Sequence, residues 1–109
     1  MKKGEIWLVE IPSSNGQEQE GLRPSLIIAD TGFGITTLIP LTSNLQALRF
    51  QYTYSIEKSK INGLTADSVA LIFQLRAIDS KRLKKKVGYL ENEHQKRIND
   101  LIIKYLNLK

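Results

Sequence analysis

The sequence predicts a mainly β protein of the α+β class, an antiparallel barrel or strongly curled sheet of roughly 5–7 strands followed by one C-terminal helix. Two observations lead to this prediction. Short runs rich in β-branched and aromatic residues recur between turn-forming residues, and they outnumber the helical segments. The end of the chain instead carries apolar residues at helical spacing.

The strand-like runs follow one another along the first four-fifths of the chain. The predicted strands cover residues 5–11, 25–29, 35–39, 50–56, 68–73 and 87–90, and residues 74–78 continue the fifth past a bend. Prolines mark several boundaries, because proline cannot donate to a strand ladder. Pro12 ends the first run, Pro24 opens the second and Pro40 closes the third.

Two helices are predicted near the end of the chain. Asp79 or Ser80 caps a short helix through Leu83. A longer helix begins near Asn92, which resembles half of a capping box with Gln95, and continues to the chain end. Its apolar stripe consists of Ile98, Leu101, Ile102 and Tyr105. We expect the whole chain, residues 1–109, to form one domain.

Composition excludes several classes of site. The 109 residues include no cysteine and one histidine, so disulfides, thiolate metal sites, a cysteine nucleophile and histidine clusters are ruled out. The absence of cysteine is compatible with the reducing cytoplasm. No signal peptide or apolar run long enough to span a membrane is evident. The net charge of +5 favours an anionic partner such as nucleic acid, or serves only solubility.

The segment between the first two strands is the most informative part of the sequence. It holds Glu18, Glu20 and Arg23 between turn-forming glycines, and Pro24 favours an extended Arg23. A guanidinium at the junction of loop and strand could bind a phosphate through two hydrogen bonds. The residues alone also describe a surface loop with solvated carboxylates, and they favour that interpretation.

Two further polar groups lie at strand ends. Thr42, Ser43 and Asn44 follow Pro40 and offer hydroxyl and amide groups to a phosphate or base, although an ordinary turn also explains them. Gln74 interrupts an apolar run and is a candidate ligand contact. Arg76 fits better as a structural partner of Asp79 across a bend.

The remaining candidates fit structural roles better. His94 lies in the first helical turn, where a lone histidine is typical of a surface or packing position. Trp7, Tyr52 and Tyr54 could stack on bases, but their places in strand patterns favour core packing.

Three motifs together resemble the family of MazF/PemK/Kid toxins. The first motif joins Gly4-Glu5-Ile6-Trp7-Leu8-Val9 to Gly16-x-Glu18-Gln19-x-Gly21-x-Arg23-Pro24. The second is Pro40-Leu41-Thr42-Ser43, and the third extends from Asp67-Ser68-Val69-Ala70 through Gln74-x-Arg76-x-Ile78-Asp79. They occur in the order found in the family and cover nearly the whole chain.

The resemblance implies a compact SH3-like curled barrel, a homodimer and sequence-specific cleavage of single-stranded RNA in the cytoplasm. It implies attack by the ribose 2′-hydroxyl on the adjacent phosphate, which leaves a 2′,3′-cyclic phosphate without a metal or cofactor. It also implies a cognate antitoxin protein as a partner.

The same resemblance implies roles for particular residues. Arg23 and Thr42 match the pair that the family uses at the scissile phosphate, and Glu18 matches a loop carboxylate that is a candidate base. The expected contacts to neighbouring nucleotides are Gln17, Gln19, Ser43, Asn44 and Gln74.

The sequence also departs from one branch of the family. The plasmid-borne branch carries a histidine at the position of Gln17, and an arginine and an aspartate at those of Leu71 and Phe73. Its acid–base scheme therefore cannot operate here, and the general base stays open. The alternative function is a non-catalytic nucleic-acid-binding or gyrase-inhibiting toxin on the same fold.

Overall fold

The structure is a computed structural model that describes residues 2–11 and 21–108. Seven strands precede one α-helix. The strands are β1 Glu5–Glu10, β2 Leu22–Asp30, β3 Ile35–Thr42, β4 Thr53–Ile56, β5 Ser68–Leu71, β6 Arg76–Asp79 and β7 Leu83–Tyr89, and the helix α1 is Asn92–Tyr105. Short 3₁₀ helices cover Leu45–Arg49, Ile72–Gln74 and Ser80–Arg82.

All pairings in the sheet are antiparallel, which confirms the predicted fold class. The strand order is β4-β5-β3-β2-β1-β7, and β6 pairs with the first half of β3. Within the described ranges the terminal strands β4 and β7 do not pair with each other, so the sheet does not close into a complete barrel.

Two apolar clusters are built by the alternation of side chains along the strands. One includes Ile6, Leu26, Ile39 and Leu41, and α1 covers it with the buried Ile98. The second lies around Val9, Ile27, Leu38, Ile78 and Leu83. The apolar stripe predicted for the helix therefore packs as expected.

Two prolines lie inside strands, contrary to the prediction that they mark boundaries. Pro24 pairs with Leu8 inside β2, and Pro40 pairs with Ser25 inside β3. The other edge of β3 pairs with β6 as far as Leu38 and with β5 only from Leu41. Pro40 therefore lies where that edge has no ladder partner, so a missing N–H is tolerated.

Several predicted boundaries are corrected by local backbone geometry. The fourth strand begins at Thr53 rather than residue 50, because Tyr52 adopts a left-handed φ of 60° that ends regular pairing. The fifth strand ends at Leu71, where a 3₁₀ turn begins. The last strand begins at Leu83 rather than residue 87.

The helix ends are only partly as predicted. Asp79 caps the Ser80–Arg82 turn by accepting from the Lys81 N–H at 2.9 Å, as expected. The Asn92–Gln95 capping box does not form, since the Gln95 side chain donates to the Leu90 carbonyl at 2.7 Å. Helix α1 stops at Tyr105, because Asn107 adopts a left-handed φ of 57°.

Candidate active site

Register brings the two principal candidates together. Ser25 pairs with Pro40 and Leu26 with Ile39. Arg23 and Thr42 lie two residues beyond Ser25 and Pro40, so by alternation their side chains point to the same face of the sheet as that pair. Both side chains are half-buried and stand at the ends of well-paired strands.

A cavity of about 480 Å³ opens beside this pair. It collects four of the predicted site residues, namely Arg23, Thr42, Asn44 and Gln74. The remaining lining residues are Ile11, Pro40, Ala47, Phe50, Leu71, Phe73 and Arg76. Its volume falls within the range of small-molecule sites, about 300–1,000 Å³.

Arg76 was missed as a site residue. Asp79 does not hold it as predicted, because the Asp79 carboxylate caps the following turn. Arg76 instead pairs with Leu38 and lies on the same face as Thr42, four residues further along β3. The position of Arg76, two residues after Gln74 on the strand that follows, could have identified it from the sequence.

The cavity is cationic. Arg23 and Arg76 contribute two guanidinium groups, and no Asp or Glu among the described residues lines it. Fixed cations in a partly enclosed cleft attract phosphate strongly, because the surrounding dielectric is lower than that of water. Glu18, Gln17 and Gln19, which we predicted as site residues, lie outside the described residues.

The segment after β3 forms the turn that the sequence allowed. Thr42 Oγ1 accepts from the Asn44 N–H at 3.2 Å, and Asn44 Oδ1 accepts from the Gln46 N–H at 3.1 Å. The second bond caps the Leu45–Arg49 turn. These local bonds orient Thr42 and Asn44 on the cavity wall, so the structural and ligand-binding interpretations of this turn are compatible.

Aromatic side chains form the apolar wall. The Phe50 and Phe73 rings meet edge to face with centroids 6.1 Å apart, and the Arg49 guanidinium lies 4.9 Å from the Phe50 centroid. Half of the Phe50 side chain is exposed. Leu71 and Phe73, where the plasmid-borne branch carries charged residues, both line this cavity.

Ser43 is the predicted contact that the structure separates from the others. It lines a second groove of about 220 Å³. Arg23 and Thr42 line this groove as well as the larger cavity. The pair therefore stands between two concave surfaces.

The four remaining side chains interpreted as structural make contacts within the protein. The Tyr54 hydroxyl and His94 Nδ1 form a 2.6 Å hydrogen bond, and burial raises the pKa of Tyr54. Tyr52 packs against Tyr105 with centroids 5.2 Å apart. Trp7 Nε1 donates to Glu5 Oε1 at 2.9 Å.

Neither a metal cluster nor a membrane helix is found in the part of the chain that the structure describes. No three His, Asp or Glu side chains there are grouped to hold a metal ion. No helix in those ranges is long and apolar enough to cross a membrane.

Known proteins resemble the chain along its full length. A family model of PemK-like, MazF-like toxins of type II toxin–antitoxin systems matches residues 2–106. The endoribonuclease MazF of Staphylococcus saprophyticus subsp. saprophyticus is 36% identical over 106 residues, which cover 94% of this chain and 88% of that protein.

Solved structures show the same fold. The MazE–MazF structure (Form-II) from Deinococcus radiodurans has a TM-score of 0.79 at 17% identity, covering 100% of this chain and 97% of that chain. A mycobacterial endoribonuclease in complex with its cognate antitoxin has a TM-score of 0.71 at 16% identity, covering 98% and 95%. The family model and the 36% identical relative show the family as well as the fold. This chain belongs to the PemK-like, MazF-like toxins of type II toxin–antitoxin systems.

Proposed function

We propose that this chain is a sequence-specific endoribonuclease toxin that cleaves single-stranded RNA through a 2′,3′-cyclic phosphate, without a metal or cofactor. The observation that carries the proposal is that Arg23 and Thr42 line the same cationic cavity of about 480 Å³. The 36% identity to an endoribonuclease MazF supports the reaction class.

The reaction needs a base, an acid and stabilisation of charge. The ribose 2′-oxygen loses its proton and attacks the adjacent phosphorus, while the bond from phosphorus to the 5′-oxygen breaks and that oxygen takes up a proton. The phosphorane carries extra negative charge on its non-bridging oxygens. We assign the stabilisation of this charge to Arg23, because a guanidinium rarely gives up a proton.

Thr42 and Glu18 complete the proposed chemistry. The Thr42 hydroxyl lines the same cavity as Arg23 and donates to a non-bridging phosphate oxygen. Glu18 is the proposed base that accepts the proton of the 2′-hydroxyl. Arg76 adds a second positive charge on the same face and holds a neighbouring phosphate.

The rest of the cavity fits the bases next to the cut. Phe50 and Phe73 offer ring surface, on which an unpaired base stacks. Asn44 and Gln74 offer amide groups to base edges. Gln17 and Gln19 are proposed as further base contacts, and Ser43 contacts the nucleotide on the other side of the phosphate.

The proposal extends to partners and location. We propose one domain over residues 1–109, a cytoplasmic location and inhibition by a cognate antitoxin, in line with the mycobacterial complex. We also propose a homodimer, since Ile103, Tyr105 and Leu106 are exposed apolar residues on a chain of only 12.4 kDa. Sedimentation at twice that mass is expected, and a monomer at all concentrations would contradict it.

A cleavage assay tests the central claim. Purified protein is incubated with a long unstructured RNA in EDTA, and the cut sites and end groups are mapped. We expect discrete cuts with 5′-hydroxyl ends. Intact RNA would contradict the proposal, and an assay for double-strand breaks in DNA would then test gyrase inhibition.

Substitution of Arg23 and of Thr42 tests the assigned roles. Arg23→Ala is expected to lower kcat by ~10²–10³-fold, the usual effect of removing one group that stabilises transition-state charge. Thr42→Val removes the hydroxyl at nearly constant shape and is expected to lower kcat as well. Arg97→Ala on α1, an equal loss of charge at an exposed position, serves as the control. Full activity of Arg23→Ala would rule out this mechanism.

A further inference from the structure

The second groove, lined by residues of β2, β3 and the segment 64–68, is not used by the mechanism above except through Ser43. The lining residues are Leu22, Arg23, Pro24, Leu41, Thr42, Ser43, Leu64, Thr65, Ala66 and Ser68. With about 220 Å³ it has less than half the volume of the main cavity. Both concave surfaces nevertheless border the same two residues, Arg23 and Thr42.

The two surfaces lie on opposite faces of the sheet. Side chains alternate along a strand, so Leu22 and Pro24 point away from the face that carries Arg23. Leu41 and Ser43 are placed likewise on either side of Thr42. Because Arg23 and Thr42 border both surfaces, a chain bound at this pair can contact both of them.

The far wall of the second groove is held by hydrogen bonds within the segment 58–68. The Leu64 N–H donates to Asn62 Oδ1 at 3.0 Å, and Asn62 is fully buried. The Lys58 N–H donates to Asp67 Oδ1 at 2.9 Å, and Ser68 Oγ donates to the Ala66 carbonyl at 2.9 Å. Thr65 and Ala66 are exposed and lie between these hydrogen-bonded positions.

The lining of the second groove suits a nucleoside rather than a phosphate. Arg23 is its only charged lining residue among those described, and that group faces the shared edge. Leu22, half exposed, and Pro24 offer an apolar surface for a base. The hydroxyls of Ser43 and Thr65 can donate to and accept from base edges or a ribose.

We propose that the second groove binds the nucleotide on the opposite side of the scissile phosphate from the main cavity, and that Thr65 determines which base is accepted there. The inference rests on the proposed ribonuclease function. It assigns specificity to a residue outside the three sequence motifs. A single-stranded substrate then bends around the ends of β2 and β3, with one flanking base on each face.

Thr65→Val tests the proposal, since it removes the hydroxyl and keeps a β-branched side chain. The substrate is a pool of RNAs in which the nucleotides around one cleavage position are randomised, and the cut products are sequenced. We expect the preference for one base at a single position next to the cut to fall by roughly 3- to 10-fold, the value of one hydrogen bond. Preferences at the other positions should change little.

Thr37→Val is the matched control, because Thr37 lies on β3 but lines neither concave surface. Its cleavage profile should equal that of the wild type. Leu22→Ser is the second test variant, and it should weaken the preference at the same position as Thr65→Val. An unchanged profile in Thr65→Val, or a change spread over all positions, would overturn the proposal.

The failure of this subsite is distinguishable from the failure of the ribonuclease function. If the wild type does not cut RNA, the same pool is prepared with 2′-deoxyribose and selected for binding. A base preference that Thr65→Val removes would support the subsite without catalysis. Selection without any base preference, or no binding, would overturn it.

Discussion

Glu5, at the start of β1, is a buried carboxylate with several donors around it. Trp7 Nε1 and the Lys2 N–H donate to its Oε1 at 2.9 and 3.1 Å, and Lys86 Nζ lies 3.1 Å from its Oε2. Burial alone would raise the pKa of this carboxyl. The hydrogen bonds from Trp7, Lys2 and Lys86 outweigh burial and lower the pKa from 4.5 to about 2.

This lowered pKa predicts how the stability of the protein depends on pH. A group whose pKa is lower in the folded state stabilises that state above its unfolded pKa, and the contribution disappears as the pH falls from about 4.5 towards 2. At neutral pH the contribution is roughly 3 kcal/mol. In Glu5→Gln, the free energy of unfolding should therefore fall less steeply over this acid range.

Urea titrations between about pH 5.5 and about pH 1, which extend roughly one unit beyond each limit, measure that slope. Glu57→Gln makes the same change in net charge at an exposed position and serves as the control. If Glu5→Gln and the wild type lose stability in parallel through this acid range, the assigned hydrogen bonds do not hold the carboxylate charged.

Whether the role of a single residue could be predicted depends on which residues its side chain contacts. Arg23 and Thr42 were predicted because both belong to the motifs that resemble the toxin family, and the structure places both on the wall of one cavity. Arg76 was assigned to Asp79 because the two are close in sequence. In a strand, however, residues three apart point to opposite faces, so Asp79 was free to cap the next turn while Arg76 joined the cavity.

At the scale of elements, the close approach of the segment 61–63 to β7 depends on two glycines. A Cβ at Gly63 would overlap the carbonyl oxygen of Val87, and a Cβ at Gly88 would overlap the backbone of Asn62. The Tyr89 N–H donates to the Ile61 carbonyl at 3.0 Å. This contact covers the outer edge of β7 at its C-terminal end and anchors the segment that leads to Thr65.

Gly63→Ala is therefore expected to destabilise the protein through two effects. Gly63 has φ +70°, a conformation that costs an L-residue roughly 1–2 kcal/mol. The overlap with β7 adds a further ~1–3 kcal/mol. Gly32→Ala isolates the first effect, because Gly32 has φ +81° with no atom within 4 Å of the added Cβ.

Urea unfolding of the two variants separates the cost of the backbone conformation from the cost of the overlap with β7. Gly63→Ala should lose clearly more free energy of unfolding than Gly32→Ala. Equal losses would mean that β7 moves aside without cost and that the junction does not anchor the neighbouring segment.

Element boundaries could not be predicted from the sequence where tertiary contacts determine them. The Ile72 N–H donates to the Tyr52 carbonyl at 3.0 Å, a bond between two segments that each bend out of a strand there. Apolar alternation cannot show such bends, because Tyr52 and Phe73 are apolar whether or not the ladder continues. Types of element were predictable, since the period of the apolar pattern differs between strand and helix.

At the scale of the whole molecule, the net charge of +5 alone leaves a nucleic-acid partner and simple solubility equally open. The structure distributes the charge unevenly. Arg23 and Arg76 lie together on one cavity, whereas Lys84, Lys85 and Lys86 are exposed along β7. A general attraction of RNA to the positive protein and a specific phosphate contact at the cavity have different salt dependences.

Arg76→Ala distinguishes the two. For single strands, the logarithm of the binding constant falls with the logarithm of the salt concentration by about 0.7 for each phosphate neutralised. If Arg76 holds one phosphate, its removal should lower the magnitude of that slope by ~0.7. Fluorescence anisotropy with a labelled 2′-deoxy oligonucleotide measures the slope, since this ligand lacks the 2′-hydroxyl that would be needed for cleavage.

Lys96→Ala, at an exposed position of α1 away from both concave surfaces, lowers the net charge by the same amount. Its slope should stay close to that of the wild type, because no phosphate contact is lost. If the two variants instead weaken binding equally and with one slope, RNA responds to total charge, and the Arg76 guanidinium does not contact a phosphate.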